Sequence, residues 1–261
     1  MSDPYLYKGT DVLKNRLGIM DNEMLQNAEV ECSCNAIHNL DIIPLDGEYD
    51  LVHLCQFHRY IFQDVYEWAG KPRVITMEKE EPVLGGLSVL YSQPENIIHE
   101  ATTVLNNMRR TEWSKLTLDE QAGKLTDCIA ELWKVHPFRE GNTRVTVTFV
   151  CHFAESRGIP IDRELFENNP QYMRNALVAA SAVFPEGDMR KNEYLNRIVK
   201  DSLERGVQRE TLQNINDQRE RPQHTLADYK KVIEERRARD HGGSRPSTPP
   251  KSKDKPGHDD R

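Results

Sequence analysis

Between Leu51 and Val65 the apolar positions Leu51, Leu54, Cys55, Ile61, Phe62 and Val65 return every three or four residues, with His58 on the same face. That spacing predicts an amphipathic helix, and Asp50 stands where its N-cap belongs. The same rule predicts helices over residues 22–38 and 94–110. A fourth opens at the capping box Thr117-Leu118-Asp119-Glu120, turns Leu125, Cys128, Ile129, Leu132 and Trp133 inward, and ends at His136. Ahead of these a short helical pattern from Thr10 carries Leu13, Leu17 and Ile19; behind them lie helical patterns over 163–166, 170–183 and 191–205. His58 reads as a satisfied core histidine, because nothing nearby completes a site.

Two stretches break the helical period. Arg73-Val74-Ile75-Thr76-Met77 and Leu87-Ser88-Val89-Leu90-Tyr91 are β-branched and short, separated by a turn-forming Pro82 and by Gly85-Gly86, which predicts a small hairpin. Val145-Thr146-Val147-Thr148-Phe149-Val150 alternates as a strand would. The chain is therefore mainly α, with a small β-hairpin.

With 37% hydrophobic and 30% charged residues over 261 positions, one full domain and an extension can form, and no apolar run approaches the ~18 residues needed to span a bilayer. No membrane association is expected, and the start Met-Ser-Asp-Pro-Tyr-Leu-Tyr has no basic region followed by an apolar one, so a cytoplasmic setting is expected. A net charge of −7 argues against a nucleic-acid partner. The five cysteines are irregularly spaced, as in a reduced cytosolic protein, and Cys32-Ser-Cys34 with His38 and His53 lacks the second pair a zinc site would need. Past Gly206 the composition shifts. Residues 207–261 hold 13 Lys+Arg against 10 Asp+Glu, leaving −7 − 3 = −10 on the part before it. One helix is expected at 226–239, and the Gly-Gly-Ser-Arg-Pro-Ser-Thr-Pro-Pro run after it is disordered by composition.

The chemistry concentrates in His136-Pro137-Phe138-Arg139-Glu140-Gly141-Asn142-Thr143-Arg144. Pro137 takes the chain out of the preceding helix, Phe138 anchors the loop, and Gly141-Asn142 can turn successive N–H groups inward at a helix N-terminus. His136 is the group here that titrates near neutrality, Glu140 is a hard oxygen donor suited to magnesium, and Arg144 is a permanent cation. Phosphate is the guest such a loop suits.

At these residues the chain resembles the Fic family, whose signature is His-x-Phe-x-(Asp/Glu)-Gly-Asn-x-x-Arg or a close variant; His136, Phe138, Glu140, Gly141, Asn142 and Arg144 fall at family positions. The resemblance covers about residues 3–206, including Tyr66-Glu67-Trp68-Ala69-Gly70. It implies a Fic domain over 1–206, a helical bundle in which 143–157 is a helix closed by Gly158, a flap over about 72–92, and a charged extension over 207–261. It further implies a protein adenylyltransferase using ATP and Mg2+: His136 as general base for a Ser, Thr or Tyr hydroxyl of a target protein, Glu140 on the metal, Gly141, Asn142, Thr143 and Arg144 on the nucleotide with Lys79 bordering it, and Val74, Ile75, Thr76 and Met77 docking the target. A toxin-like or effector role follows from the same resemblance, in the cytoplasm or delivered to a host cytosol. A Doc-type kinase and a decayed binding module are the alternatives.

Two positions depart from the family pattern. Thr143 stands where Gly is usual, and Val147 replaces a second arginine that grips the γ-phosphate in many members. The family's inhibitory (Ser/Thr)-x-x-x-Glu-(Gly/Asn) segment is absent, since only Thr76 has a glutamate four residues on and Glu81 follows it. A separate antitoxin-like inhibitor is the expectation that results.

Overall fold

A computed structural model describes residues 3–185, 187–220 and 226–241. The chain divides after Leu212 into two units. In the first, α1 (Asn22–Ile42), α2 (Leu51–Phe62), α3 (Ile97–Arg110), α4 (Leu118–Val135) and α5 (Asn142–Ser156) pack as a bundle, followed by α6 (Glu164–Glu167), α7 (Pro170–Ala180) and the start of α8 (Glu193–Glu220). The second unit holds the end of α8 and α9 (Leu226–His241), which covers the helix expected there. Disorder was expected from about 240; Asp240 and His241 instead end α9, and residues from 242 onward lie outside the described residues.

The caps explain the register. Asp50 accepts from the N–H of His53 at 2.9 Å, and Thr117 and Glu120 form the reciprocal box expected of them. Helix α5 sits at the centre against α2 and α4, and Val145, Phe149, Val150, Phe153 and Ala154 are all fully buried. Burial on most faces overrides the strand propensity of the Val-Thr-Val-Thr run, because a helix satisfies its own backbone where a lone strand could not. Gly158, at φ +67°, closes it.

Two expectations are corrected. Residues 10–20 form no helix: Leu6 and Leu13 make an isolated bridge, and Asn15 spends its amide on Leu13 O, Ile19 O and Ile19 N. Gly9 and Gly18 at positive φ bound this stretch and set a looped path. The 72–92 segment has no strand ladder either. Its arms are extended, but a 3-10 turn at Pro82–Leu84 separates them, and the backbone N–H bonds that cross between them include Glu81 N to Leu87 O at 3.2 Å and Lys79 N to Ser88 Oγ at 3.0 Å. Arg73 holds the arms instead, its Nη1 on Ile75 O and its Nη2 on Ser92 O. The hairpin among the described residues is β1 (Val183–Phe184) with β2 (Gly187–Asp188), where a helix reaching 183 was expected.

Among the described residues no helix is long and apolar enough to cross a membrane, and no group of three His, Cys, Asp or Glu converges as a metal cluster. Cys32, Cys34, His38 and His53 do not form such a group among the described residues. The ring nitrogens of His53 are already taken by Tyr49 N–H and Leu45 O.

Candidate active site

Helix α4 ends at His136, which takes the left-handed conformation (φ 50°, ψ 59°) and turns the chain sharply into the motif loop. The loop is fixed from several sides. Phe138 is buried and stacks on His58 at 3.9 Å. His58 accepts from the Gly70 N–H at 2.8 Å through Nδ1, so its Nε2 carries the proton and donates to Glu140 O at 3.1 Å. Arg73, 2% exposed, adds a bond from Nε to His136 O at 2.7 Å. His58 is thus the core histidine expected, and its hydrogen bonds set the path of the loop.

Gly141 sits at φ +79° with its α-carbon against Phe62, and α5 begins at the next residue. Among the described residues the N–H groups of Asn142, Thr143 and Arg144 have no hydrogen-bond partner. A helix N-terminus with three open donors favours an anion. Thr143 has a definite task, since its Oγ1 accepts from Trp133 Nε1 at 2.9 Å and ties the start of α5 to the end of α4.

Two side chains depart from the roles the sequence suggested. Asn142 bonds Phe138 in both directions, Oδ1 accepting from its N–H at 2.9 Å and Nδ2 donating to its carbonyl at 2.7 Å; this amide staples the loop and has one of its two N–H donors left over. Arg144 is turned to α1, where it pairs with Glu29, donates to Ser33 Oγ at 2.5 Å and lies over the Phe62 ring. Glu29, which also accepts from the Tyr66 hydroxyl, carries no signal in the sequence because its partners lie far along the chain.

His136 is 1% exposed, packed between Tyr91, ring to ring at 4.0 Å, and Trp133 at 5.3 Å. Its Nδ1 faces Trp133 O at 3.3 Å, which makes Nδ1 the protonated nitrogen and leaves a lone pair on Nε2. That Nε2 is buried with no partner. Burial first, then Lys79 and Arg73, hold the imidazole well below its ordinary pKa, so it is neutral at pH 7.

Glu140 is about one-third exposed; Oε1 accepts from the Gly141 N–H at 3.1 Å and Oε2 pairs with Lys79 at 3.2 Å. Burial raises its pKa, but Lys79, the Gly141 amide and Arg144 outweigh that and hold it below the usual carboxylate value. It is an ionised oxygen donor. One carboxylate beside an anion nest fits Mg2+, which keeps several waters and uses phosphate oxygens as ligands, provided Lys79 yields its place.

Lys79 belongs to the 72–92 segment. There Val74 and Thr76 are exposed, Ile75 is half-buried and Met77 is buried, so Met77 offers no side chain for docking. The N–H groups of Ile75, Thr76, Met77 and Glu78 have no partner among the described residues, which leaves an open edge. Beyond Lys79, the buried Glu81 pairs with Arg174 of α7 at 2.7 Å. Beside that pair runs a groove of about 510 Å3, walled by Leu84, Leu87, Tyr172 and Phe184 and floored by Ala176 and Ala179. Neither Glu81, Arg174 nor the groove was legible in the sequence.

Four histidines of this core, His53, His58, His136 and His152, are buried and have lowered pKa values. His58 is pushed down to about 3 and His152 to about 4, both chiefly by burial, and His136 is lowered as well. Their folded-state values lie below the unfolded ~6.5. The stability they permit is complete above that pH and is lost as pH falls toward the folded values. Between pH 7.5 and 5 the cost is about 2 kcal/mol each for His58 and His152. The urea midpoint should fall accordingly; an equal or higher midpoint at pH 5 would contradict these environments.

The sequence profile of the Fic/DOC family matches residues 48–154. A probable protein adenylyltransferase of Sinorhizobium fredii is 33% identical over 185 residues, covering 68% of this chain and 88% of that protein. The protein adenylyltransferase VbhT of Bartonella schoenbuchensis is 32% identical over 166 residues, 64% of this chain but 34% of VbhT, so the chain spans about a third of that relative. Among solved structures, the BepC protein of Bartonella tribocorum with bound AMPPNP superposes with a TM-score of 0.63 at 23% identity, over 76% of this chain and 95% of BepC.

Proposed function

Because the chain belongs to the Fic/DOC family, we propose that it transfers AMP from ATP to a hydroxyl side chain of a target protein, with His136 as the general base. The observation that carries this reading is the lone pair on His136 Nε2, buried without a partner and linked through Trp133 and Thr143 to the start of α5, where three amides stand open. The hydroxyl oxygen of a Ser, Thr or Tyr attacks the α-phosphorus, its proton passes to Nε2, and pyrophosphate leaves. The open amides of Asn142, Thr143 and Arg144 take the charge that grows on the α-phosphate oxygens. A neutral imidazole suits proton acceptance, and an incoming triphosphate raises its basicity by offsetting Lys79 and Arg73.

Glu140 would hold Mg2+, whose chemistry is to neutralise charge between the phosphates. Lys79 then transfers its charge from Glu140 to the nucleotide. Glu140→Ala should lower the transfer rate in a way that added magnesium partly restores, measured as label incorporated against magnesium concentration; full activity at low magnesium would remove Glu140 from the metal.

The groove beside α7 has the size and apolar walls that suit a purine base. Ala176→Phe fills its floor and should weaken ATP binding about tenfold or more while leaving phosphate-only ligands unaffected; unchanged ATP binding by calorimetry would place the base elsewhere. The open edge at Ile75–Glu78 suits a target segment added as a strand, its backbone pairing with the unpartnered N–H groups.

The missing inhibitory segment supports a separate antitoxin-like inhibitor. Purified protein that modifies nothing in a lysate until an internal segment is deleted would contradict this. VbhT and BepC, the latter a VirB-translocated effector, make a cytosolic target, in the producing cell or in a host, the corresponding proposal. The reading as a whole is tested by mass spectrometry of a target extract treated with ATP and the protein: one AMP on a hydroxyl side chain supports it, and unmodified proteins throughout speak against it.

A further inference from the structure

The motif loop offers fewer cations to a triphosphate than its sequence suggests. Val147 stands where a second arginine was expected, and Arg144 is engaged by Glu29 and Ser33. Arg73 is committed to backbone carbonyls, and Arg139 pairs with Asp3 at 2.9 Å. Lys79 alone cannot match the charge of a nucleoside triphosphate.

We infer that Arg174 is a phosphate-binding residue of this site, held in position by Glu81 and reaching the phosphates of a nucleotide whose base lies in the groove beside α7. Its Nη2 bonds Glu81 Oε1 at 2.7 Å, while Nε and Nη1 have no partner among the described residues and the side chain is about one-third exposed. Glu81 is buried and also accepts from the Tyr91 hydroxyl at 3.4 Å, and the Tyr91 ring lies on His136. A continuous path of contacts thus runs from the guanidinium to the base. On the other side, Tyr172, Asn175 and Ala176 of the same helix line the groove. A nucleotide that spans the groove and the amides of α5 passes this guanidinium, whose planar fork has two edges: one serves Glu81 and the other is open to a phosphate oxygen. The field of Arg174 at His136, where it opposes protonation, agrees with that closeness.

The inference rests on the proposed nucleotide site and is separable from it. Adenosine, AMP, ADP and ATP are titrated calorimetrically into the full chain and into three variants, Arg174→Gln, Arg174→Lys and the double variant Glu81→Gln with Arg174→Gln. The double variant leaves no buried carboxylate unpaired, so it keeps the test valid where Arg174→Gln alone unfolds. In the double variant ATP and ADP should bind about tenfold or more weakly with adenosine within about twofold of the parent, and Arg174→Lys should recover part of the loss. If the double variant weakens adenosine and ATP by the same factor, or neither, Arg174 merely latches Glu81 and the inference falls, while parental ATP binding leaves the nucleotide site standing. A parent chain that binds none of the four sinks both.

Discussion

His136→Ala should reduce protein modification by at least about 10²–10⁴-fold, the range in which positioned general bases act. The imidazole offers its Nε2 lone pair while Nδ1 is held by Trp133 O. The residue is also packed: it is 1% exposed, lies against Tyr91 and Trp133, and has φ +50°. Alanine there leaves a cavity, so some stability is lost as well. His136→Asn separates the two effects, because asparagine tolerates that conformation and its amide can still donate to Trp133 O. Both variants should lose transfer, and His136→Asn should keep ATP binding and a melting temperature near the parent's. Wild-type transfer by either would remove His136 from the base role.

Gly141→Ala should damage both stability and nucleotide binding. The backbone is at φ +79°, and a β-carbon there would lie 2.3 Å from Phe62 Cε2 and Cζ. The left-handed conformation costs roughly 1–2 kcal/mol and the overlap another 1–3 kcal/mol, since Phe62 is fully buried and cannot swing into solvent. Relief would require α5 to shift at its first turn, which carries the open amides, and would disturb the Phe62 ring on which Arg144 rests. Urea unfolding should give a midpoint lower by the equivalent of about 2–5 kcal/mol, and calorimetry a weaker ATP affinity. A variant matching the parent on both counts would mean that the loop is not held as described.

What the sequence disclosed was local. The Thr117–Glu120 box, the Asp50 cap and the three-four spacing of α2 and α4 are short-range signals, and the structure carries each of them. The motif residues are gathered on one loop because nine consecutive positions hold them. The strand-like Val-Thr-Val-Thr run became a helix because its surroundings bury it, which the resemblance to a family conveyed and propensity could not.

The rest depends on partners distant in the chain. Arg144 finds Glu29 115 residues earlier, and Arg174 finds Glu81 93 residues earlier. No spacing rule announces such pairs. The amide of Asn142 was free to face either a phosphate or Phe138, and only the turn at Gly141 decides for Phe138. Arg73, with no motif to mark it, holds two arms together that alternation alone would have paired as strands.

Tyr91 on His136 and Lys79 on Glu140 both come from the 72–92 segment, so the two side chains are covered from one side. In the proposed mechanism a target hydroxyl reaches Nε2 only if that segment yields, and the charges of a bound triphosphate, competing with Glu140 for Lys79, supply a reason. On the proposed reading, transfer then depends on nucleotide binding first.

The central claim is tested most directly with ATP labelled separately at the α and γ positions and incubated with the protein, magnesium and a cell extract. The account predicts that α-label becomes attached to protein, that γ-label does not, and that His136→Ala abolishes the attachment. Attachment of the γ-label would make the protein a kinase, and attachment of neither would make the site a binding module; either result would contradict the mechanism.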